Sequence, residues 1–154
     1  MGCGMKVLFF IAGLGLAVSS PAASAQSLAG VTIGDSETKV MKALPGAINV
    51  PDENDQKVRV IILGETTVEL CKGKASYIEK TIGSTLTDCL SLVERETSKR
   101  GEPTVDSDIA KGSANAESWL FSTWMDHGSA FSVQMHYSGG KHRVSSVMAG
   151  SIHC

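Results

Sequence analysis

The sequence predicts an α+β protein in which two tandem repeats, each a helix plus an antiparallel β-meander, pack as one domain. Two segments share one pattern of residue types: TIGDSETKVMKAL from Thr32 to Leu44, and TIGSTLTDCLSLV from Thr81 to Val93. Each has a glycine turn, a polar capping residue and then apolar residues at helical spacing. We place repeat one at residues 28–79 and repeat two at residues 80–154. Because one helix and three strands cover little apolar surface, the two repeats must pack together to bury a core.

In repeat one, the helix begins after Gly34, where Asp35 or Ser36 can accept hydrogen bonds from amides of the first turn, and it ends at Pro45-Gly46. Alternating apolar residues and short turns then predict a three-strand meander. Its strands are VRVIIL, TTVELC and KASYIEK.

In repeat two, the helix begins after Gly83 with Ser84 or Thr85 as its cap. Three strands follow: ESWLFSTWM, AFSVQMHY and HRVSSVMAGSI. A capped helix start can also bind an anion, but these loops lack the glycine density of a phosphate-binding loop, which favours structural capping. A long loop, from Thr97 to Ala116, separates the helix from its strands, and it is either a functional contact element or a segment without fixed structure.

The N-terminus is typical of a secretory signal peptide. Lys6 precedes an apolar run from Val7 to Val18 that is too short to span a bilayer, and the run is followed by small residues ending at Ala25. Residues 1–25 are therefore predicted to be a signal peptide, with translation starting at Met1 or Met5, and residues 26–154 a single exported domain. We expect the domain in the periplasm or secreted, without a membrane span in the mature chain.

Charge and cysteine content narrow the partners. The formal net charge is −2 at pH 7 and the basic residues are scattered, which argues against a nucleic-acid partner. Cleavage leaves Cys71, Cys89 and Cys154 in an oxidising compartment. A Cys71–Cys89 disulfide would contribute roughly 3 kcal/mol in the chain-entropy model, with Cys154 left over. No CxxC or HxxxH spacing is present, so no metal site and no cofactor are predicted.

The repeat resembles the SmpA/OmlA small-lipoprotein family and the related two-repeat β-lactamase inhibitory proteins. The resemblance is carried by the two helix starts, a Gly-x-Pro after the second helix and the hydrophobic hairpins; these lie at Val31 to Leu44, Ile82 to Val93, Gly101 to Pro103, Val58 to Ile78 and Trp119 to Met148. The lipoprotein branch implies outer-membrane protein assembly but is anchored through an N-terminal cysteine that this sequence lacks. The inhibitor branch implies export without lipid and an aromatic-rich, concave sheet that binds an enzyme.

Turn lengths predict which side chains share a face of the last three strands. An even-length turn at Asp126 to Ser129 pairs Trp124 with Phe131, and the Gly139-Gly140 turn pairs Met135 with Val144. The core face then carries Leu120, Trp124, Phe131, Val133, Met135, Val144 and Met148. The opposite face carries the predicted partner-binding residues Trp119, Phe121, Met125, Gln134, His136 and Arg143, a composition typical of protein-binding hot spots. An odd-length turn would swap the faces, and a helix or the other repeat could cover Trp119 and Phe121.

Together these patterns predict a non-enzymatic protein-binding module without catalytic residues, whose partner is an envelope protein or an exported enzyme. The alternative is a small metal-dependent or hydrolytic periplasmic enzyme that uses the C-terminal histidines, which are His127, His136, His142 and His153. No Gly-x-Ser-x-Gly motif is present, and no carboxylate is placed by a motif to assist a histidine. The binding module is therefore the preferred hypothesis.

Overall fold

The computed structural model describes residues 27–51, 58–110, 117–126, 128–152 and 154. The predicted signal peptide, both candidate start residues, His127 and His153 lie outside the described residues. Within these ranges the elements run as follows: β1 (Ser27–Leu28), β2 (Val31–Thr32), α1 (Glu37–Ala43), β3 (Ile48–Pro51), β4 (Val58–Leu63), β5 (Thr66–Cys71), β6 (Lys74–Gly83), α2 (Leu86–Arg100), β7 (Thr104–Ala110), β8 (Glu117–Asp126), β9 (Ser129–Ser138) and β10 (Lys141–Gly150).

The prediction of an α+β fold made of two helix-plus-meander repeats is wrong. Strands account for 59% of the structure and helices for 19%, so the protein is mostly β. Eight strands form one antiparallel sheet in the order β3-β4-β5-β6-β10-β9-β8-β7, and β1 and β2 form a separate small sheet. The sheet is continuous between the two proposed repeats because β6 of the first pairs with β10 of the second, with Tyr77 opposite Ala149.

Two segments outside the predicted strands also contribute edge strands to the sheet. β3 pairs with β4, and β7 pairs with β8 along its whole length, from Thr104 opposite Thr123 to Ala110 opposite Glu117. The predicted loop from Thr97 to Ala116 therefore includes the end of α2 and all of β7, and residues 111–116 lie outside the described ranges.

Both helix starts are capped by side chains, which confirms the structural capping predicted from the sequence. Ser36 Oγ accepts a hydrogen bond from the Lys39 amide at the start of α1. At the start of α2, Thr85 and Asp88 form a reciprocal capping box, and the Asp88 carboxylate also accepts from the Ser84 amide. Hydrogen bonds from the Thr85 hydroxyl and from the backbone amides of Ser84 and Thr85 lower the pKa of Asp88 below its ordinary value.

The core lies between the helices and one face of the sheet. Val40 of α1 and Leu92 of α2 belong to the same buried cluster as residues from six strands of the large sheet. The large-sheet members of this cluster are Ile61, Val68, Leu70, Ala75, Ile78, Trp124, Phe131, Val133, Val144 and Met148. Because side chains alternate along a strand, this arrangement gives the sheet one helix-covered face.

The predicted strand register is confirmed. Trp124 lies opposite Phe131, Leu120 opposite Met135, and Met135 opposite Val144. Trp124, Phe131 and Val144 are buried, whereas Leu120 and Met135 are half-buried at the margin of the core. The even length of the turn between β8 and β9 therefore predicts correctly which side chains of the two strands share a face of the sheet.

The predicted Cys71–Cys89 disulfide is wrong, since the disulfide joins Cys71 to Cys154. The two Cα atoms of that pair lie 5.3 Å apart, within the ordinary range for a disulfide. Cys89 instead lies on the inner side of α2, where it is buried in the core as a free thiol, and burial raises its pKa.

Among the described residues, neither helix combines the length and apolar character that crossing a membrane requires.

A buried carboxylate joins α2 to the sheet. Glu96 is only 5% exposed and lies within 3.3 Å of basic nitrogens from Arg95, Lys99 and Arg100. The Arg100 guanidinium also lies 4.1 Å from the centre of the Phe131 ring on β9. Burial alone would raise the pKa of Glu96, but the hydrogen bonds from these cations outweigh burial and hold the pKa below its ordinary value.

We expect Glu96→Gln to lower the free energy of unfolding by about 1–2 kcal/mol at pH 7, because charge-assisted hydrogen bonds are replaced by neutral ones. The contribution of the carboxylate is present above its unfolded-state pKa of about 4.5 and is lost as the pH falls through the lower folded-state pKa. Urea unfolding of both proteins from pH 7 down to pH ~3 measures this difference. A difference in unfolding free energy between the two proteins that stays constant across this pH range would show that the ionised Glu96 carboxylate is not its source.

Candidate functional site

The face of the sheet opposite the core, here called the open face, carries the residues predicted to bind a partner. In the described part of the chain both helices contribute to the core on the other side. The register places Trp119 opposite His136, Phe121 opposite Gln134, and His136 opposite Arg143. Met125, which pairs with Ala130, lies on the same face nearer the end of the strand. All six predicted residues therefore share one face, although only some of them touch.

Three aromatic rings form a stack on the open face. The Trp119 and His136 rings are nearly parallel, with centroids 3.6 Å apart and planes at 5°. Phe121 lies 6.1 Å from Trp119 at 7°. All three side chains are half-buried, so the rings hold one another in place while part of their surface stays in solvent. A rigid aromatic surface of this kind loses little conformational entropy when it is covered.

The other three predicted residues lie around this stack, which consists of Trp119, Phe121 and His136. Gln134 is half-buried and donates a hydrogen bond from Nε2 to Ser132 Oγ at 3.1 Å. The Arg143 side chain is 53% exposed, and Met125 is 75% exposed. Met125 is therefore the most solvent-exposed apolar side chain on this part of the face.

A polar network centred on Glu79, which the sequence analysis missed, occupies the middle of the open face. Its carboxylate accepts hydrogen bonds from Ser145 Oγ at 2.8 Å and from the Tyr77 hydroxyl at 3.3 Å. Arg143 Nη2 lies 3.3 Å from the same carboxylate. Burial, followed by the charge and hydrogen bond of Glu79, raises the pKa of Tyr77, so its hydroxyl stays protonated and remains a donor.

An acidic row borders the aromatic stack along the edge strand β7. Asp106 lies opposite Phe121 and Asp108 opposite Trp119, and both aspartates are exposed. Asp106 Oδ1 also accepts a hydrogen bond from the Ser107 amide at 2.8 Å. Charged residues on an edge strand discourage uncontrolled strand pairing. Here they also give the aromatic stack a negative border.

Of the two histidines within the described ranges, His136 and His142 are not paired across the hairpin. His136 lies opposite Arg143 on the open face, whereas His142 lies opposite Tyr137, one position out of step, and its ring contacts Tyr137 at 4.9 Å. Successive residues of a strand point to opposite faces, so the two histidines are not cross-strand neighbours, although both line a cleft at the end of the sheet. His136 Nε2 is buried without a hydrogen-bond partner, and the nearest carboxylate oxygen, from Glu117, is 3.9 Å away.

The residues that the structure describes contain no group of three or more His, Cys, Asp or Glu side chains that could hold a metal ion.

No protein-family model, curated protein or solved structure matches this chain. The chemistry of the open face is therefore the basis on which a function can be inferred.

Proposed function

We propose that this chain is a non-enzymatic, exported protein-binding module whose open face binds another protein. The observation that carries the proposal is the partly buried stack of Trp119, Phe121 and His136 on the face opposite the helices. Tryptophan, tyrosine and arginine are the residues that most often dominate the energy of protein interfaces. A partly buried tryptophan beside an arginine-containing polar network combines an apolar anchor with groups that orient a partner.

The charges around the stack indicate the chemistry of the partner surface. Asp106 borders the phenyl ring of Phe121 and Asp108 borders the indole ring of Trp119. A matching partner surface therefore presents an apolar group flanked by a lysine or arginine. Arg143 and Glu79, which already neutralise each other, form the other border. Charge complementarity of this kind mainly speeds association and rejects wrong partners, while the apolar contact supplies most of the affinity.

Export and the role of the partner belong to the same proposal. The Cys71–Cys154 disulfide fits an oxidising compartment, either the periplasm or the outside of the cell. The resemblance to the SmpA/OmlA family and to β-lactamase inhibitory proteins suggests two roles, assembly of envelope proteins or inhibition of an exported enzyme. In both roles the open face acts by occupying a surface of its partner.

The proposal predicts that Trp119→Ala weakens partner binding by at least about 30-fold, the effect of removing a hot-spot side chain worth about 2 kcal/mol. Residues 26–154 are immobilised to capture a partner from periplasmic extract, and the purified partner is then titrated by calorimetry. Leu90→Ala is the matched control, because Leu90 is a 58% exposed apolar residue on α2 rather than on the open face. If Leu90→Ala weakens binding and Trp119→Ala does not, the partner uses the helix side and the proposal is wrong.

A further inference from the structure

A cleft of about 410 Å³ lies at one end of the open face, where His136 of the aromatic stack forms part of its lining. It forms where β6 ends, α2 begins and the turn between β9 and β10 closes. Its lining consists of Thr81, Gly83, Ser84, His136, Ser138, Lys141, His142 and Arg143. Binding sites for small molecules typically enclose about 300–1,000 Å³, so the cleft is large enough for a small organic ligand.

The cleft is lined by two residues with cationic side chains, Lys141 and Arg143, and by three with hydroxyl groups, which are Thr81, Ser84 and Ser138. Lys141 and Arg143 are alternate residues of β10 and share one face of the strand, and no Asp or Glu is among the lining residues. Within the described ranges Lys141 has no ion-pair partner. Thr81 and Ser84 add hydroxyl groups that can donate to an anion. The Lys141 ammonium and the hydroxyl groups of Thr81 and Ser84 are therefore donors that remain available to a ligand.

The carboxylates nearest the cleft are already engaged. Glu79 binds Ser145, Tyr77 and one nitrogen of Arg143, which leaves other guanidinium N–H groups of Arg143 free to donate. Glu117 accepts a hydrogen bond from Ser138 Oγ at 3.1 Å. Asp88 is held by the amides at the start of α2, so the cationic side chains, and not the helix end, form the proposed site.

We propose that this cleft binds the phosphoryl group of a small phosphate monoester. A phosphoryl group presents three acceptor oxygens, which match an ammonium, a guanidinium and hydroxyl donors arranged around one space. The volume exceeds that of a phosphate ion, so the organic part of the ester also fits within the cleft. The cleft shares His136 and Arg143 with the proposed partner-binding face, but the binding of a phosphate monoester does not require a partner protein.

The test is a titration of the ¹⁵N-labelled protein with glycerol 3-phosphate at constant ionic strength, followed by NMR, with glycerol as the uncharged control ligand. We expect saturable shifts at the amides of Thr81, Ser84, Lys141 and Arg143, with a dissociation constant of about 1 mM or tighter. Lys141→Ala should weaken binding at least about fivefold. Lys74→Ala is the matched control, because Lys74 is also the exposed first residue of a strand that follows a tight turn. It should leave the affinity unchanged.

Three results would overturn the proposal. The first is the absence of saturable shifts up to about 20 mM glycerol 3-phosphate. The second is an equal loss of affinity in Lys74→Ala and Lys141→Ala, which would mean that net charge alone attracts the ligand. The third is binding to phosphatidylglycerol vesicles without binding to glycerol 3-phosphate, which would identify a membrane surface as the ligand.

Discussion

Cys154→Ser is expected to lower the free energy of unfolding by about 4 kcal/mol under oxidising conditions. The disulfide joins residues separated by 83 positions, and closing so long a loop removes much of the entropy of the unfolded chain. It also attaches the C-terminal residue, beyond β10, to the end of β5, two strands away across the sheet. Because Cys154 is exposed, its replacement removes the cross-link without leaving a hole in the core. Urea unfolding followed by circular dichroism measures the loss.

The control for this prediction is reduction with dithiothreitol. Reduction should destabilise the wild type to about the level of Cys154→Ser and leave that variant unchanged, while Cys89→Ala should keep the full response to the reductant. A wild type that is indifferent to reduction, or a Cys89→Ala variant that loses its response, would contradict the Cys71–Cys154 pairing.

Trp124→Ala is expected to cost about 4 kcal/mol of folding free energy, because it removes a large core side chain and a buried hydrogen bond together. Trp124 is 4% exposed and lies beside Phe131, with ring centroids 6.0 Å apart. Its Nε1 donates to the Gly101 carbonyl at 2.7 Å, and Gly101 is the C-terminal cap of α2. The indole therefore joins the end of the helix to β8, and its loss leaves both a cavity and an unpaired carbonyl.

Trp119→Ala is the matched control for this loss, since Trp119 is on the same strand but on the open face. We expect it to cost less than about 1.5 kcal/mol, because a half-buried ring loses fewer contacts and leaves no closed cavity. Urea unfolding followed by far-ultraviolet circular dichroism compares the two without relying on tryptophan fluorescence. Equal losses in the two variants would mean that both sides of β8 are core.

The local features of the sheet could be predicted from the sequence, whereas its long-range pairing could not. The two helix caps and the faces of β8, β9 and β10 followed from short patterns of capping residues, turn lengths and alternation. The pairing of β6 with β10, which makes one sheet of eight strands, joins Tyr77 to Ala149 and leaves no local signal in either segment. For this reason the sequence suggested two repeats where the structure has one continuous sheet.

Two further errors have identifiable causes. Small and acidic residues hide β7 in the sequence, although Val105 and Ile109 alternate with Asp106 and Asp108 in the manner of an edge strand. The predicted disulfide rests on loop length alone. In the structure Cys89 faces the core from α2 as a free thiol while Cys71 pairs with Cys154, and loop length carries no information about either placement.

The candidate site could be predicted in part. Alternation along β8 and β9 placed Trp119, Phe121 and His136 on one face, and the structure brings their rings together. The Glu79 network was missed because β6 is central only through its pairing with β10, which places Glu79 beside Arg143 and Ser145. The spacing of Tyr77 and Glu79, two positions apart on one strand, was the one local signal that could have indicated it.

The most direct test of the open face as a binding surface is acrylamide quenching of Trp119 fluorescence in the Trp124→Phe variant. The sequence has two tryptophans, so Trp119 is the one that remains in this variant. In the free protein we expect clear quenching, because the Trp119 side chain is only partly buried on the face opposite the helices. Addition of the captured partner, at a concentration well above its dissociation constant, should reduce the quenching constant severalfold as the ring is covered. Quenching that is the same with and without the bound partner would show that the partner binds elsewhere, and would contradict the proposed function.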